Sequence, residues 1–242
     1  MSAVRIGTSG WSYDHWGGVL YPRGASSLKR LDAYAREFDT VEVNNTFYRW
    51  PRDEVFNTWR ERTPEGFLFT VKASRGLTQF RKLNDPDAWL ERMGSGLARL
   101  EEKRGILLFQ LPPHFPCDLG RLDGFLARLE GRRVAVEFRH PSWDREETYA
   151  VLERRRAAYC VMSGANLPCV LRATTDFVYV RLHGPDRHHL YGGCYSESDL
   201  SWWADRIGEW RSQGRDVFAY FNNDGHGYAV RNAKRLKELT HS

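Results

Sequence analysis

Phe177-Val178-Tyr179-Val180-Arg181-Leu182-His183-Gly184 reads as a strand that is apolar on both faces through most of its length and charged at its C-terminal end. β-Branched and aromatic residues fit a pleated backbone, and a strand apolar on both faces belongs in a parallel sheet covered on each side. Alternation puts Tyr179, Arg181 and His183 on one face. Charge in that position must be paired or must face the mouth of a barrel.

Outward from this stretch the same pattern recurs at Val4–Thr8, Thr40–Asn44, Phe67–Lys72, Gly105–Leu111, Val134–Phe138, Ala158–Met162 and Val217–Phe221, which makes eight strands with Phe177–Leu182. Helical patterns lie between them at Ser27–Phe38, Asp53–Arg62, Asp87–Lys103, Leu119–Leu129, Glu146–Arg156, Ser198–Ser212 and Tyr228–Leu239. The connection from Gly164 to Thr175 is short and carries Pro168, which argues against a helix there. Eight β/α repeats in 242 residues predict a single α/β domain over residues 1–242, a closed (β/α)8 TIM-type barrel with parallel strands and outer helices.

Composition narrows the classes of function. The strongest apolar run, Ile106 to Leu111, is far too short to span a bilayer, and no basic segment precedes an apolar stretch at the start. The four cysteines include no C-x-x-C pair and read as reduced thiols, so the expectation is a cytoplasmic protein with no membrane contact. A net charge of +5 permits nucleic acid or an anionic metabolite without requiring either. The densest basic run, Arg154-Arg155-Arg156, ends a predicted helix, where cations complement the dipole. Oligomeric state is not written in any of these features.

Polar groups recur at the strand ends: Glu42 and Asn44 on strand two, Lys72 on strand three, Gln110 on strand four, Glu137, Arg139 and His140 on strand five, Arg181 and His183 on strand seven, and Asn222 and Asn223 on strand eight. Ion pairing inside the barrel would account for Glu42 with Lys72, or for Glu137 with Arg139 or Arg181. Asn222 and Asn223 before Asp224-Gly225 could form an Asx turn, and Gln110 before two prolines could serve backbone groups alone. Structural pairing does not require six of eight strands to carry such groups at one end, whereas an active site at the barrel mouth does. Trp11, Tyr13, Trp16, Phe47, Tyr48, Trp143, Tyr191 and Tyr195 frame the same end, and the loop from Gly184 to Ser196, with Tyr191, lies where barrels often bind phosphate.

The ordered motifs Gly7-Thr8-Ser9-Gly10-Trp11, Glu42-Val43-Asn44 through Tyr48, Gln110-Leu111-Pro112-Pro113, Glu137-Phe138-Arg139-His140, Tyr179 through Gly184 and Tyr220-Phe221-Asn222-Asn223 resemble the YecE-like family, labelled domain of unknown function seventy-two. The resemblance covers nearly the whole chain and implies a barrel related to the TIM barrels, but no reaction. One departure is that Leu77-Thr78-Gln79 stands where the family usually has Thr-His, so Gln79 replaces a family histidine.

The residues themselves suggest a small substrate bearing phosphate or carboxylate, worked on by general acid/base chemistry at the C-terminal mouth. Glu42 or Glu137 is the expected base, with His183 as its acid or base partner and Lys72 as an electrostatic stabiliser or a Schiff-base nucleophile. Asn44, Gln110, Arg139, His140, Arg181, Tyr191, Asn222 and Asn223 are the expected binding residues, with Arg139 and Arg181 gripping the anion. No cofactor is expected. The alternative enzyme holds a divalent metal on Glu42, Glu137 and His183, as in metal-dependent isomerases and nucleases, although Lys72 and two arginines oppose a cation. The third reading is a noncatalytic nucleic-acid or partner-binding module.

Overall fold

The computed structural model describes residues 2–241. Its strands are β1 (Val4–Thr8), β2 (Thr40–Val43), β3 (Leu68–Lys72), β4 (Arg104–Gln110), β5 (Val134–Glu137), β6 (Ala158–Ser163), β7 (Phe177–Leu182) and β8 (Asp216–Phe221), all parallel, in the order β1-β8-β7-β6-β5-β4-β3-β2. The barrel closes between β1 and β2 through one parallel bridge, Ser9 with Glu42, where the Gly10 N–H donates to the Glu42 carbonyl at 2.8 Å. The (β/α)8 expectation therefore holds.

Six connections carry an outer helix, α1 (Ser27–Glu37), α3 (Asp53–Arg62), α4 (Asp87–Ala98), α5 (Leu119–Ala127), α6 (Glu146–Arg154) and α7 (Glu197–Ser212), while a single turn, α2 (Asn45–Tyr48), follows β2 and α8 (Tyr228–His241) follows β8. No helix joins β6 to β7, as the short connection with Pro168 predicted. Two expectations need correction. Strand two stops at Val43, because Asn44 turns into α2. The helix expected over Asp87–Lys103 ends at Ala98, because Glu101 takes a left-handed φ of 47° and Lys103 turns inward, its Nζ donating to the carbonyls of Arg60 and Thr63. No helix among the described residues is long and apolar enough to cross a membrane.

Alternation along each strand sorts side chains into two cores. Val41, Val43, Phe69, Val71, Phe109, Val136, Val180 and Phe221 pack outward against the helices, whereas Ile106, Leu108, Ala135, Cys160, Met162, Tyr179, Phe218 and Tyr220 fill the barrel. Nearer the mouth this inner face becomes polar.

The seam between β1 and β2 depends on a phenol. Gly7 has no side chain there because a Cβ would come within 2.4 Å of the Thr40 carbonyl oxygen. Tyr34 from α1 inserts its hydroxyl into the gap, accepting from the Thr8 N–H at 2.9 Å and donating to the Thr40 carbonyl at 3.0 Å. Tyr34→Phe leaves both buried backbone groups without that partner, and the expected loss of stability is about 1–3 kcal/mol. A urea midpoint equal to that of the parent would show that the seam does not depend on this hydroxyl.

Candidate functional site

The polar layer rests on Tyr220, whose hydroxyl lies 2.7 Å from Thr40 Oγ1 and 2.8 Å from Thr70 Oγ1. Above it, β2, β5 and β7 bring Glu42, Glu137 and Arg181 together, each fully buried. Arg181 bridges the two acids. Its Nε and Nη2 donate to Glu42 Oε2 and Oε1 at 3.0 and 2.7 Å, and its Nη1 donates to Glu137 Oε2 at 2.5 Å.

The remaining acceptor positions are also taken, the second on Glu137 Oε2 by the Cys160 thiol at 3.9 Å. Ser9 Oγ and the Tyr179 hydroxyl each donate to Glu42 at 2.6 Å, while Gln110 Nε2 at 2.8 Å and Arg139 Nε donate to Glu137 Oε1. Burial raises the pKa of both acids, but Arg181 outweighs it at Glu42, and Arg139 with Arg181 outweighs it at Glu137. Both carboxyls are held below their ordinary range, Glu137 far below. A carboxylate with a depressed pKa and no free lone pair is a poor base. The expectation that Glu42 or Glu137 abstracts a proton is corrected on this ground.

Arg181 requires a second correction. Its guanidinium is fully buried and forks onto two glutamates, so it frames the site and offers no face to a substrate anion. Because that cation stands between the two acids, Glu42, Glu137 and His183 do not form a metal cradle. No cluster of three or more His, Cys, Asp or Glu side chains among the described residues is disposed to hold a metal ion.

Two carboxylates against Arg139 and Arg181 balance formally, and Lys72 is the cation left over. Its side chain is buried and packs Nζ 4.1 Å from the centroid of the Phe47 ring, and no carboxylate among the described residues reaches it within ion-pair distance. Burial lowers its pKa first, with Arg181 next, down to about 7. His183 is likewise buried, and burial lowers it to about 4, so the ring is neutral at physiological pH. Its Nδ1 lies 3.2 Å from the Asn222 amide nitrogen and its Nε2 3.3 Å from Arg139 Nη2, while Tyr191 crosses its ring at 5.3 Å.

Lys72 opens onto a cavity of about 650 Å³ at the barrel mouth. Asn44, Tyr191 and Asn222 line it, together with Trp11, Ser12, Tyr13, Asn45, Tyr48, Trp59 and Asp224. Asp224 is the one acid on this wall among the described residues, 3.7 Å from His15 Nε2. Trp11 Nε1 and Asn44 Oδ1 are buried without a hydrogen-bond partner among the described residues, one a donor and one an acceptor.

Four other expected binding residues serve the scaffold or stand apart from this wall. Gln110 supports Glu137. Asn223 donates to the Gly193 carbonyl at 2.9 Å and to Asn232 Oδ1 at 3.0 Å, tying the loop after β7 to α8. His140 Nδ1 accepts from the Ser142 N–H and caps the turn Pro141–Trp143. Arg139 is nearly buried against Glu137 and His183. Gln79, in the π-helical turn Gly76–Phe80 after β3, donates to the Gln110 carbonyl at 2.7 Å, so it too holds the frame. Trp59 and Asp224 were missing from the expected set. Trp59 falls on the apolar face of α3 and reads as core, whereas Asp224 was visible as the end of the strand-eight motif.

The family described as protein of unknown function DUF72 matches residues 5–242. The chain is 31% identical to the UPF0759 protein YunF of Bacillus subtilis, over 98% of this chain and 94% of that one. It is 32% identical to YecE of Escherichia coli over 58% of this chain and half of that protein. The crystal structure of a DUF72 family protein from Thermotoga maritima superposes with a TM-score of 0.89, at 31% identity, over 99% of this chain and all of that one. A DUF72 family protein from Enterococcus faecalis, at 19% identity, shares the fold with a TM-score of 0.86.

Proposed function

The chain belongs to the DUF72 family, and from that premise we propose that the barrel mouth is an enzyme active site for a small anionic substrate, with Lys72 and Asp224 as its acid/base groups. The observation that carries this reading is Lys72, a buried amine without a carboxylate partner on the wall of the mouth cavity. A phosphate or carboxylate there supplies the charge that the frame lacks. A group that titrates near pH 7 both donates and accepts protons at working pH, which is what general acid/base catalysis asks of it. Trp11, Tyr48, Trp59 and Tyr191 give apolar walls to the cavity. All eight strands enclose one interior, in keeping with one domain, and four free cysteines fit a reducing compartment such as the cytoplasm.

Sulfate tests the reading because its own charge is constant across the useful pH range. If it binds beside protonated Lys72, its affinity is constant below pH 7 and falls about tenfold per pH unit above it, as the ammonium is lost. Calorimetric titration of the parent should show this profile, and Lys72→Met should abolish it. Sulfate affinity that ignores both pH and the substitution, or absent binding, would remove the anionic-substrate reading.

A further inference from the structure

We propose that Lys72 is a nucleophile and that the substrate is an aldehyde or ketone bearing an acid group, captured by this amine as an imine; the proposal rests on the anionic-substrate reading above. The geometry separates Lys72 from an ordinary anion-holding residue. A residue kept only to hold an anion does best with a permanent charge, as arginine has, and this barrel places two arginines a few residues from the same mouth yet commits both to glutamates. Lys72 instead lies against the face of Phe47, in a cavity with aromatic walls, with its lone pair claimed by no neighbour among the described residues.

The charged groups that act on it are Arg181, Glu137, Glu42 and Arg139, and all four are already engaged with one another. Burial beside a guanidinium withdraws the amine's proton near neutrality and exposes the lone pair, which is how lysine becomes a carbonyl nucleophile.

In the reaction, neutral Nζ forms a bond to the carbonyl carbon, and the carbonyl oxygen takes up the proton that the nitrogen loses. The resulting carbinolamine takes one further proton, from solvent, and expels water. The product is an iminium ion on Lys72, a sink for the electrons of a bond at the adjacent carbon. No redox partner is needed.

Dihydroxyacetone phosphate, which joins hydroxyl, ketone and phosphate, serves as the probe, with sodium cyanoborohydride to reduce any iminium to a stable secondary amine. At pH 7 an ordinary lysine is neutral in roughly one molecule in 10³ or fewer, so brief treatment favours an amine that titrates near neutrality. Intact-mass measurement and peptide mapping should find one adduct at Lys72, slowed by excess sulfate and absent in Lys72→Met. Adducts spread evenly over surface lysines, or none at all, would overturn the imine. If sulfate still binds in that case, only the nucleophilic role falls; if sulfate also fails, the anionic-substrate reading falls with it.

Discussion

Arg181→Met is expected to lose about 3–5 kcal/mol of stability at pH 7, because it leaves Glu42 and Glu137 charged and buried with their shared cation gone. For a chain of this size that corresponds to a fall in melting temperature of roughly 6–20 °C. The pH dependence distinguishes this cause from lost packing. Both glutamates have folded pKa values below their ordinary range, so the stability they contribute is present above the unfolded value of about 4.3 and is lost as pH falls through the lower folded values. In the variant the acids no longer face Arg181, burial pushes their pKa values up, and each is accommodated by taking a proton as the medium is acidified. The gap in melting temperature between parent and variant should therefore be wide at pH 7–8 and narrow toward pH 4. Arg181→Lys should recover little, since one ammonium cannot reproduce a fork that reaches two carboxylates. A variant as stable as the parent at pH 7 would mean that the network adds nothing to the fold.

How much of this network could be read from the chain depended on which direction of the barrel was in question. The strand ends lead one to expect Glu42, Lys72, Glu137, Arg181, His183 and Asn222 in one cavity; of these, Lys72 and Asn222 line the mouth cavity, whereas Glu42, Glu137, Arg181 and His183 are fully buried. Alternation also places Asn223 on the opposite face from Asn222, and its contacts with Gly193 and Asn232 follow from that. Depth along the barrel axis was not legible. Two residues on one face differ in height by about 6–7 Å, and whether the upper one meets solvent depends on the loop above it. His183 lies above Arg181 and is nevertheless fully buried, with Tyr191, at a φ of 72°, set edge-on against its ring. Burial in turn decides chemistry: Glu42, open to water, would be a plausible base, whereas the same residue beneath four donors is an anchor. The helix break at Glu101 was likewise illegible, because a left-handed glutamate leaves no mark in periodicity.

Lys72 shows the reverse relation between site and fold, and Lys72→Met is expected to raise the melting temperature at pH 6–7. An amine that titrates at 10.5 in the unfolded chain and at about 7 in the folded one destabilises the fold below pH 7 by roughly 4–5 kcal/mol, at about 1.4 kcal/mol per pH unit. The sign follows from proton counting. Between pH 7 and 10 the unfolded chain binds the proton that the folded chain has released, so the parent gains stability as pH rises through this window and carries the full penalty below it. Methionine fills the stem's volume, keeps a polarisable contact with Phe47 and has nothing to deprotonate. Losing the contact of the ammonium with the Phe47 ring offsets about 0.5–2 kcal/mol. The net gain is then about 3 kcal/mol at pH 6–7, or roughly 6–12 °C, closing toward pH 10. A variant that melts at or below the parent at pH 6–7 would show that Lys72 is paired and charged in the folded protein. The expected result, greater stability together with loss of sulfate binding and of the reduced adduct, would identify a residue retained against the interest of the fold, as a group kept for chemistry is.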